Sequence, residues 1–468
     1  MSDLRRSEID VGELLETRRL GRFHAVTFGL CFLILFVDGL DYSTVNVAAP
    51  AILKSFHTET GAMGIVFGSV FVGILIGSVI FGYIGDRYGR KLGAVLGVLS
   101  YSIPALLTVF ATSIEELTFF RCLAGLGIGG VIPNVVALLT EAAPKRFRVT
   151  FVMLVFVGYS SGNAATGQIA AWLIPEYGWS IVFLVAGAAG LILSVLLAVM
   201  LPESIPFLAA TRPGSPRLRQ MVARAAPEME IPPDARFLYR RPANETEFSL
   251  RLLFSGHRRS ATPILWLAFF AESMTYLTLT AWLVVVLEQA GIAPMQAALA
   301  YSYSQLGAIA AILVLARLLD RFGPKASVLS ACMAVGAIMS LAIPGLSPAL
   351  MTAIAILAVA CASATHQSLI GIVGGFYPTV IRGNGVGYAT GMGRFGAMLG
   401  PVIAGYLLSK FPLHYALFFI AAPDLAVAAA CIALDRSARK SALVSSPPAF
   451  GAERLRASSC GGFEVPKI

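Results

Sequence analysis

Residues 82–91 read Gly82-Tyr83-Ile84-Gly85-Asp86-Arg87-Tyr88-Gly89-Arg90-Lys91 and lie between two long apolar runs. A related stretch, Asp320-Arg321-Phe322-Gly323-Pro324-Lys325, follows a later apolar run, and its Asp320 comes 234 residues after Asp86. The same offset relates Pro144 and Arg148 to Pro378 and Arg382. Two separate motifs in one register indicate that the chain is a duplication of one unit in the same orientation.

The composition places both units in a membrane. Of the 468 residues, 57% are hydrophobic and 13% are charged, and the mean hydropathy is +0.78. A water-soluble chain cannot bury that much apolar surface, whereas a bilayer solvates it with about 20 apolar residues per span. We therefore predict an all-α integral membrane protein with two pseudo-symmetric halves of six helices. The candidate spans are 24–49, 62–85, 92–111, 117–140, 150–174, 179–201, 263–287, 297–318, 326–344, 349–373, 384–409 and 414–434, and Pro50 and residues 345–348 are interpreted as breaks.

The basic residues predict the orientation, because Lys and Arg stay on the cytoplasmic side of a membrane. The predicted outer loops hold only Lys54 and Lys410, and the other basic residues fall on the opposite side. No cleavable signal peptide is visible. We expect a cytoplasmic N-terminal tail (1–23), linker (202–262) and C-terminal tail (435–468), which flank the six-helix halves 24–201 and 263–434. One amphipathic helix is expected near 216–226. The net charge of +9 is thus an orientation signal, and no nucleic-acid partner is predicted.

These motifs resemble those of a known family. The loop at 82–91, Arg121-x-x-x-Gly125-x-Gly127 and Pro202-Glu203-Ser204 resemble motifs of the major facilitator superfamily, and the resemblance covers nearly the whole chain. A narrower resemblance, to the aromatic acid:proton symporter family, rests on Asp38-Gly39-Leu40-Asp41 and on Gly393-Arg394-x-Gly396. It implies a bacterial inner-membrane symporter that works by alternating access. One departure is Gly375, the repeat counterpart of Glu141, so we expect a lopsided cytoplasmic charge network.

Three acidic residues within the spans are candidates for proton coupling. Asp38 and Asp41 are three residues apart and share one helical face, and Glu272 lies in the seventh span. An ionised carboxylate inside a membrane costs several kcal/mol unless it is paired or hydrated, so such residues usually face a cavity. An acid pair of this kind can gain and lose a proton as access alternates. The alternative interpretation is a packing role with hydrogen bonds to a neighbouring helix.

Four other residues are candidates for substrate contact. A guanidinium matches a carboxylate with two parallel hydrogen bonds, which favours Arg394 and, to a lesser degree, Arg121. His366 titrates near neutral pH, and Tyr42 offers a ring for stacking on an aromatic substrate. Internal ion pairs for the arginines and ordinary packing for the other two remain open. Asp424, in the last span, has no assigned role.

Charged residues at the predicted inner ends of the spans form a candidate cytoplasmic gate. Charge pairs there would hold one state of the transporter and break in the other, although cytoplasmic retention alone also explains the basic residues. The gate candidates are Asp86, Arg87, Arg90, Glu141, Arg148, Asp320, Arg321 and Arg382.

The resulting hypothesis is a proton-coupled importer of an aromatic carboxylate, and not an enzyme. Its partners would be a small organic anion, a proton and the lipid bilayer, with a monomer as the expected form. The six cysteines lie far apart, and neither a disulfide framework, a metal site nor a cofactor is predicted. Two alternatives stay open, namely a symporter of another organic anion or a drug–proton exchanger, and a non-transporting ligand sensor on the same scaffold.

Overall fold

A computed structural model describes residues 8–17, 20–226, 231–232, 235–239, 250–255, 258–378 and 381–445. The remaining parts of the predicted tails and linker lie outside these residues. The elements are β1 (Glu8–Asp10), α1 (Val11–Thr17), α2 (Arg22–Phe56), α3 (Thr60–Tyr88), α4 (Arg90–Thr108), α5 (Ile114–Ala142), α6 (Arg148–Tyr177), α7 (Ser180–Met200), α8 (Ile205–Thr211), α9 (Pro216–Ala225), β2 (Arg236–Leu238), α10 (Arg258–Gln289), α11 (Pro294–Phe322), α12 (Lys325–Ser340), α13 (Pro348–Phe376), α14 (Arg382–Lys410) and α15 (Leu413–Ser445).

The predicted bundle of two six-helix halves is confirmed. Helices α2–α7 form the first half and α10–α15 the second, and equivalent helices pack in equivalent ways: α2 on α6 as α10 on α14, and α3 on α5 as α11 on α13. The predicted break at Pro50 is wrong, because α2 continues to Phe56 with Pro50 inside it. A proline lacks one helical hydrogen bond and kinks a helix without always ending it.

Nine helices within the described residues are long and apolar enough to cross a membrane. The other three members of the bundle, α6, α12 and α14, pack against them, α6 on α2 and α14 on α10. Helix α14 has a low mean hydropathy because it carries seven glycines before Pro401, and α12 is short. Small residues allow close helix packing in membranes, where packing replaces the hydrophobic effect as the force that joins helices.

The contacts between the halves follow the 234-residue register. Lys54 and Glu288 hold equivalent positions and form an ion pair of 3.1 Å across the two halves. A Cβ on Gly64 would lie 2.7 Å from the carbonyl oxygen of Pro401, and one on Gly167 would lie 2.7 Å from that of Ala298. Gly64 is the repeat counterpart of Ala298, and Gly167 is that of Pro401. The same contact therefore occurs twice, between α3 and α14 and between α6 and α11.

The two halves meet at one end of the bundle. We call the end at which α2, α6, α10 and α14 finish the outer end, and the opposite one the inner end. A single cluster of buried apolar residues joins both halves at the outer end. Towards the inner end, the apolar residues of each half form a cluster of their own. The halves therefore share one apolar core at the outer end and have separate apolar cores towards the inner end.

A small cap covers the inner end of the first half. Strands β1 and β2 pair in parallel, with Ile9 opposite Phe237, and join the N-terminal segment to the linker. Helix α9 coincides with the expected amphipathic helix and packs through Leu218 and Val222 onto α8 and α1. The sheet was not predicted, because three-residue strands carry too little pattern to be recognised in a sequence.

Candidate functional site

The predicted acid pair lies inside the first half, in the middle of α2. Asp38 and Asp41 are fully buried, and Gly39 between them lies directly against α6. A Cβ at Gly39 would lie 2.1 Å from the carbonyl oxygen of Tyr159. Only a glycine allows the two backbones this approach, which fixes the position of both carboxyl groups relative to α6.

We expect Gly39→Ala to lower the midpoint of thermal unfolding in detergent, because α2 and α6 must separate to admit the methyl group. Overpacking of this kind costs about 1–3 kcal/mol. Gly29→Ala on the same helix is the matched control, since a Cβ there meets nothing within 4 Å. It should leave the midpoint unchanged or raise it, because alanine favours a helix over glycine. Equal midpoints for the two variants would contradict the close approach.

Arg121 lies against the acid pair and is itself buried. Its Nη1 is 3.5 Å from Oδ1 of Asp41, and its Nη2 donates to Oγ1 of Thr108 at 3.1 Å. Its guanidinium carbon lies 4.9 Å from the centre of the Phe183 ring, a cation–π geometry. Among the described residues, neither oxygen of Asp38 accepts a hydrogen bond. Asp41 therefore has a cationic neighbour and Asp38 has none.

Glu272 and His366, predicted for different roles, lie in contact within the second half. Nδ1 of His366 meets Oε2 of Glu272, and the imidazole is tilted against the Tyr276 ring at 5.4 Å. Glu272 is fully buried, whereas the His366 side chain keeps 21% of its surface exposed. Asp424 on α15 is also buried, and it lies beside Thr275 of α10.

Aromatic rings surround the space between the halves. Tyr42 lies 6.1 Å from Tyr159 and 6.3 Å from Phe71, measured between ring centres. The hydroxyl of Tyr301 donates to Ser43 across the halves at 3.1 Å. The phenol of Tyr42 is close enough to those of Tyr276 and Tyr301 to interact with both. Tyr42, a predicted substrate contact, thus belongs to an aromatic cluster that both halves supply.

Arg394 is half-buried on α14 and reaches the other half of the protein. Its Nη1 donates to Oγ of Ser78 at 2.7 Å, and Ser78 is its single hydrogen-bond partner within the residues that the structure describes. Ser78 and Phe71 are seven residues apart on α3 and so share a face, about 10 Å from each other along the axis. The arginine and the aromatic cluster therefore contact the same face of α3.

The predicted gate residues form a network in the first half. Asp86 contacts Arg90, whose Nε lies 3.3 Å from Oε1 of Glu141. Glu203, which the sequence did not single out as a gate residue, accepts a hydrogen bond from the backbone N–H of Lys91 at 3.0 Å. Its carboxylate lies over Gly89, where a Cβ would come within 2.2 Å of Oε2, and the positive φ of 118° also favours glycine there. Burial raises the pKa of Glu203, against the hydrogen bonds from backbone N–H groups that lower it.

The remaining gate candidates lie apart from this network. Arg87, Asp320 and Arg321 are exposed at the inner end. Arg382 donates from Nε to the carbonyl oxygen of Tyr377 at 3.3 Å, and Nε of Arg148 is buried with no hydrogen-bond acceptor in the described ranges. Among the described residues, the contacts of this network lie in the first half.

An apolar groove of about 630 Å³ on the outside of α3 and α5 is separate from these side chains. Ile65, Val72 and Phe119 in it are exposed apolar residues on the outer surface of the bundle. Such residues face lipid in a membrane protein, so we do not regard the groove as the functional site.

The contacts made by uncharged polar residues were missed in the sequence. Ser78 holds Arg394, and Ser43, which contacts Asn163 of its own half, accepts from Tyr301 of the other. Serines are frequent in membrane helices as packing residues, and no spacing distinguishes these two. The signal for Glu203 was present, in the Pro202-Glu203-Ser204 motif beside the basic loop.

Comparison with known proteins identifies the family. The Major Facilitator Superfamily matches over residues 31–306 and 264–459. The 4-hydroxybenzoate transporter PcaK of Acinetobacter baylyi is 31% identical over 434 residues, which cover 90% of this chain and 94% of the relative. The gallate transporter of Pseudomonas putida is 32% identical, with 91% and 95% covered, and the benzoate transport protein of Acinetobacter baylyi is 30% identical, with 87% and 88% covered.

Solved structures agree on the fold. A D-xylose-proton symporter superposes with a TM-score of 0.68 at 15% identity, and the alignment covers 87% of this chain and 97% of the symporter. The xylose transporter XylE from E. coli, in a partially occluded inward open conformation, gives 0.66 at 13% identity with the same coverage. The predicted class of protein is confirmed, and the chain belongs to the Major Facilitator Superfamily as a multi-pass membrane transporter.

Proposed function

We propose that this protein imports an aromatic carboxylate together with protons by alternating access. The observation that carries the proposal is the set of relatives at 30–32% identity, whose names specify 4-hydroxybenzoate, gallate and benzoate and which align over about nine tenths of the chain. The chemistry of the site supports the same class, because a guanidinium and a cluster of aromatic rings contact the same face of α3.

The protein would lie in the bacterial inner membrane with both termini in the cytoplasm. The two lysines of the outer end are each paired with an acid, Lys54 with Glu288 and Lys410 with Glu59, both at 3.1 Å. The outer end therefore adds no unpaired lysine to the charge balance of the described residues. The basic side chains of the gate lie at the inner end, as the positive-inside rule requires of a cytoplasmic face.

Arg394 would bind the substrate carboxylate. Only one of its donors is engaged, by a neutral serine, so an anion can displace or share that hydrogen bond. A charge-assisted bidentate pair is stronger than the bond it replaces. The aromatic cluster around Tyr42 would take the ring, with offset or edge-on contacts. Arg121 is a poorer candidate than the sequence suggested, because its guanidinium is already buried against Asp41, Thr108 and Phe183.

Asp38 and Asp41 would have different roles in proton coupling. Asp41 has the positive charge of Arg121 beside it, which stabilises a carboxylate. Asp38 lies one turn away, and no described residue gives it a cation or a donor, so a bound proton is what makes its burial tolerable. A proton would thus load on Asp38 when the site faces outward and leave when the site faces inward.

When access changes, contacts between the halves at the outer end would break and other contacts would form at the inner end. Opening the outer end requires the two ion pairs there to break, together with the contacts of Gly64 and Gly167. The gate network of the first half is then positioned to meet Asp320, Arg321 and Arg382 of the second. Because exposed ion pairs contribute only about 0–1 kcal/mol each, such an exchange stays nearly balanced.

The proposal is tested by uptake into proteoliposomes. An inside-alkaline gradient of about one pH unit should accumulate labelled 4-hydroxybenzoate about tenfold if one proton enters with each monoanion. A protonophore should abolish the gradient and the accumulation together. Excess benzoate should compete, whereas an aliphatic carboxylate of equal charge should not. Equilibration that ignores the gradient would refute proton coupling, preferred competition by aliphatic acids would refute the substrate class, and saturable binding without uptake would indicate a sensor.

A further inference from the structure

The second half contains a set of titratable side chains of its own, which we call the α10–α13–α15 cluster. It consists of Glu272 on α10, His366 on α13 and Asp424 on α15. Glu272 and His366 are in direct contact. Asp424 lies beside Thr275, which follows Glu272 by one helical turn, and the charge of Glu272 acts on Asp424. Three helices therefore bring two carboxyl groups and one imidazole together inside the membrane.

The α10–α13–α15 cluster leads from the space between the halves into the second half. The His366 side chain is 21% exposed and lies tilted against Tyr276, whereas Glu272 and Asp424 are fully buried. An imidazole accepts a proton at one nitrogen and releases one at the other. His366 is thus the partly exposed member of the cluster, and its imidazole contacts the buried carboxyl group of Glu272.

The repeat relates the α10–α13–α15 cluster to the acid pair of the first half. Glu272 is the counterpart of Asp38, and Tyr276 is that of Tyr42. Asp424 has Gly190 as its counterpart, and Gly190 packs on Ser102 and Tyr101. The phenol of Tyr101 lies near Asp38 and Asp41. Each half therefore places a polar group behind the acid of its first helix.

The two halves differ in the helix that supplies the polar group behind the acid of their first helix. The counterparts of Tyr101 and Ser102 are Val335 and Gly336, which bring no hydroxyl. In the second half the polar group comes from α15 instead, as the Asp424 carboxyl. The first half has a neutral phenol in this place, and the second has a group that can take up a proton.

The α10–α13–α15 cluster needs a bound proton to balance its charge. A protonated His366 balances one carboxylate, which leaves the second acid without a counter-charge. Within the part of the chain that the structure describes, the other titratable groups that face the cluster are the phenols of Tyr276 and Tyr301 and the thiol of Cys361, which are neutral at pH 7. The cations Arg121 and Arg394 contact Asp41 and Ser78. A buried carboxylate without a partner costs several kcal/mol, whereas a protonated one does not.

We propose that Glu272, His366 and Asp424 form a second proton-binding site, so that two protons enter with each carboxylate. The inference rests on the proposed function, because it concerns the stoichiometry of the same transport. One proton would travel on the acid pair of α2 and the other on the α10–α13–α15 cluster. Two protons and one monoanion carry one net positive charge inward, so the membrane potential drives uptake even without a pH gradient.

The test uses purified full-length protein in proteoliposomes at pH 7 on both sides. Potassium and valinomycin set an inside-negative potential of about 59 mV, which corresponds to a tenfold ratio for one net charge. Wild-type protein should accumulate labelled 4-hydroxybenzoate about tenfold. Asp424→Asn and Glu272→Gln should show no accumulation from the potential but keep uptake driven by an inside-alkaline pH gradient. Asp435→Asn, at the inner end of the same helix, is the matched control and should behave as wild type.

The outcomes separate the two proposals. Wild-type uptake that follows the pH gradient and ignores the potential overturns the second proton site and leaves the proposed function intact. Asp424→Asn protein that keeps its response to the potential overturns the site as well. No accumulation under either gradient refutes the proposed function instead. If the variants fail to fold, the ratio of charge to substrate in wild-type protein decides alone, with one charge per substrate supporting the site and zero refuting it.

Discussion

Replacing Arg121 with alanine is expected to destabilise the fold by about 3–5 kcal/mol, the range for removing one partner of a buried ion pair, and to abolish transport. The Asp41 carboxylate is fully buried, and Nη1 of Arg121 at 3.5 Å is its neighbouring positive charge. The variant also loses the hydrogen bond to Thr108 and the contact with the Phe183 ring. The measurements are the midpoint of thermal unfolding in detergent and uptake in proteoliposomes.

The double variant Arg121→Ala/Asp41→Asn separates charge from packing. If the loss of stability comes from an unbalanced carboxylate, the neutral amide removes the cause and the midpoint should recover most of the difference. Transport should remain absent, because the acid pair has lost a titratable member. Arg121→Lys provides a further control, since a compact ammonium keeps the charge but cannot reach Asp41 and Thr108 together as the planar guanidinium does. Equal midpoints for the single and double variants would show that the pair does not stabilise the fold.

The fold was predictable because its signals are long and repeated. Apolar runs of about 20 residues give the helices, and two motifs 234 residues apart give the register of the halves. The register then recurs in contacts that the motifs do not include, such as the pair Lys54 and Glu288. The wrong break at Pro50 came from a local rule, which the packing of α2 against its neighbours overrode.

The members of the candidate site were predictable, but their pairings were not. A charged residue within an apolar span is conspicuous, which is why Asp38, Asp41, Arg121, Glu272 and Arg394 could be selected from the sequence. Which of them meet depends on the rotation and crossing of helices far apart in the chain. Arg121 and Arg394 looked alike as ligands for a carboxylate, yet one is paired within its own half and the other is held by a serine of the opposite half.

Arg394→Ala is expected to weaken binding of an aromatic carboxylate by on the order of tenfold to a hundredfold. This range corresponds to the loss of one hydrogen bond to a charged group. The variant should fold normally, because Arg394 is half-buried and gives up one bond to a neutral hydroxyl. Titration calorimetry with 4-hydroxybenzoate on purified protein measures the affinity. Ser78→Ala is the matched control: it removes the same hydrogen bond but keeps the guanidinium, so binding should be unchanged or tighter.

The methyl ester of 4-hydroxybenzoate shows whether the affinity depends on the carboxylate itself. Wild-type protein should bind the acid more tightly than the ester, because the ester keeps the ring and cannot form two charge-assisted hydrogen bonds with a guanidinium. Arg394→Ala protein should bind the two compounds about equally, since the group that distinguishes them is gone. The preference of Arg394→Lys protein for the acid should lie between those of the wild type and Arg394→Ala, because lysine keeps the positive charge but has no planar fork. If Arg394→Ala protein keeps the wild-type preference for the acid, another cation must bind the carboxylate, and Arg121 would then have to leave Asp41 during transport.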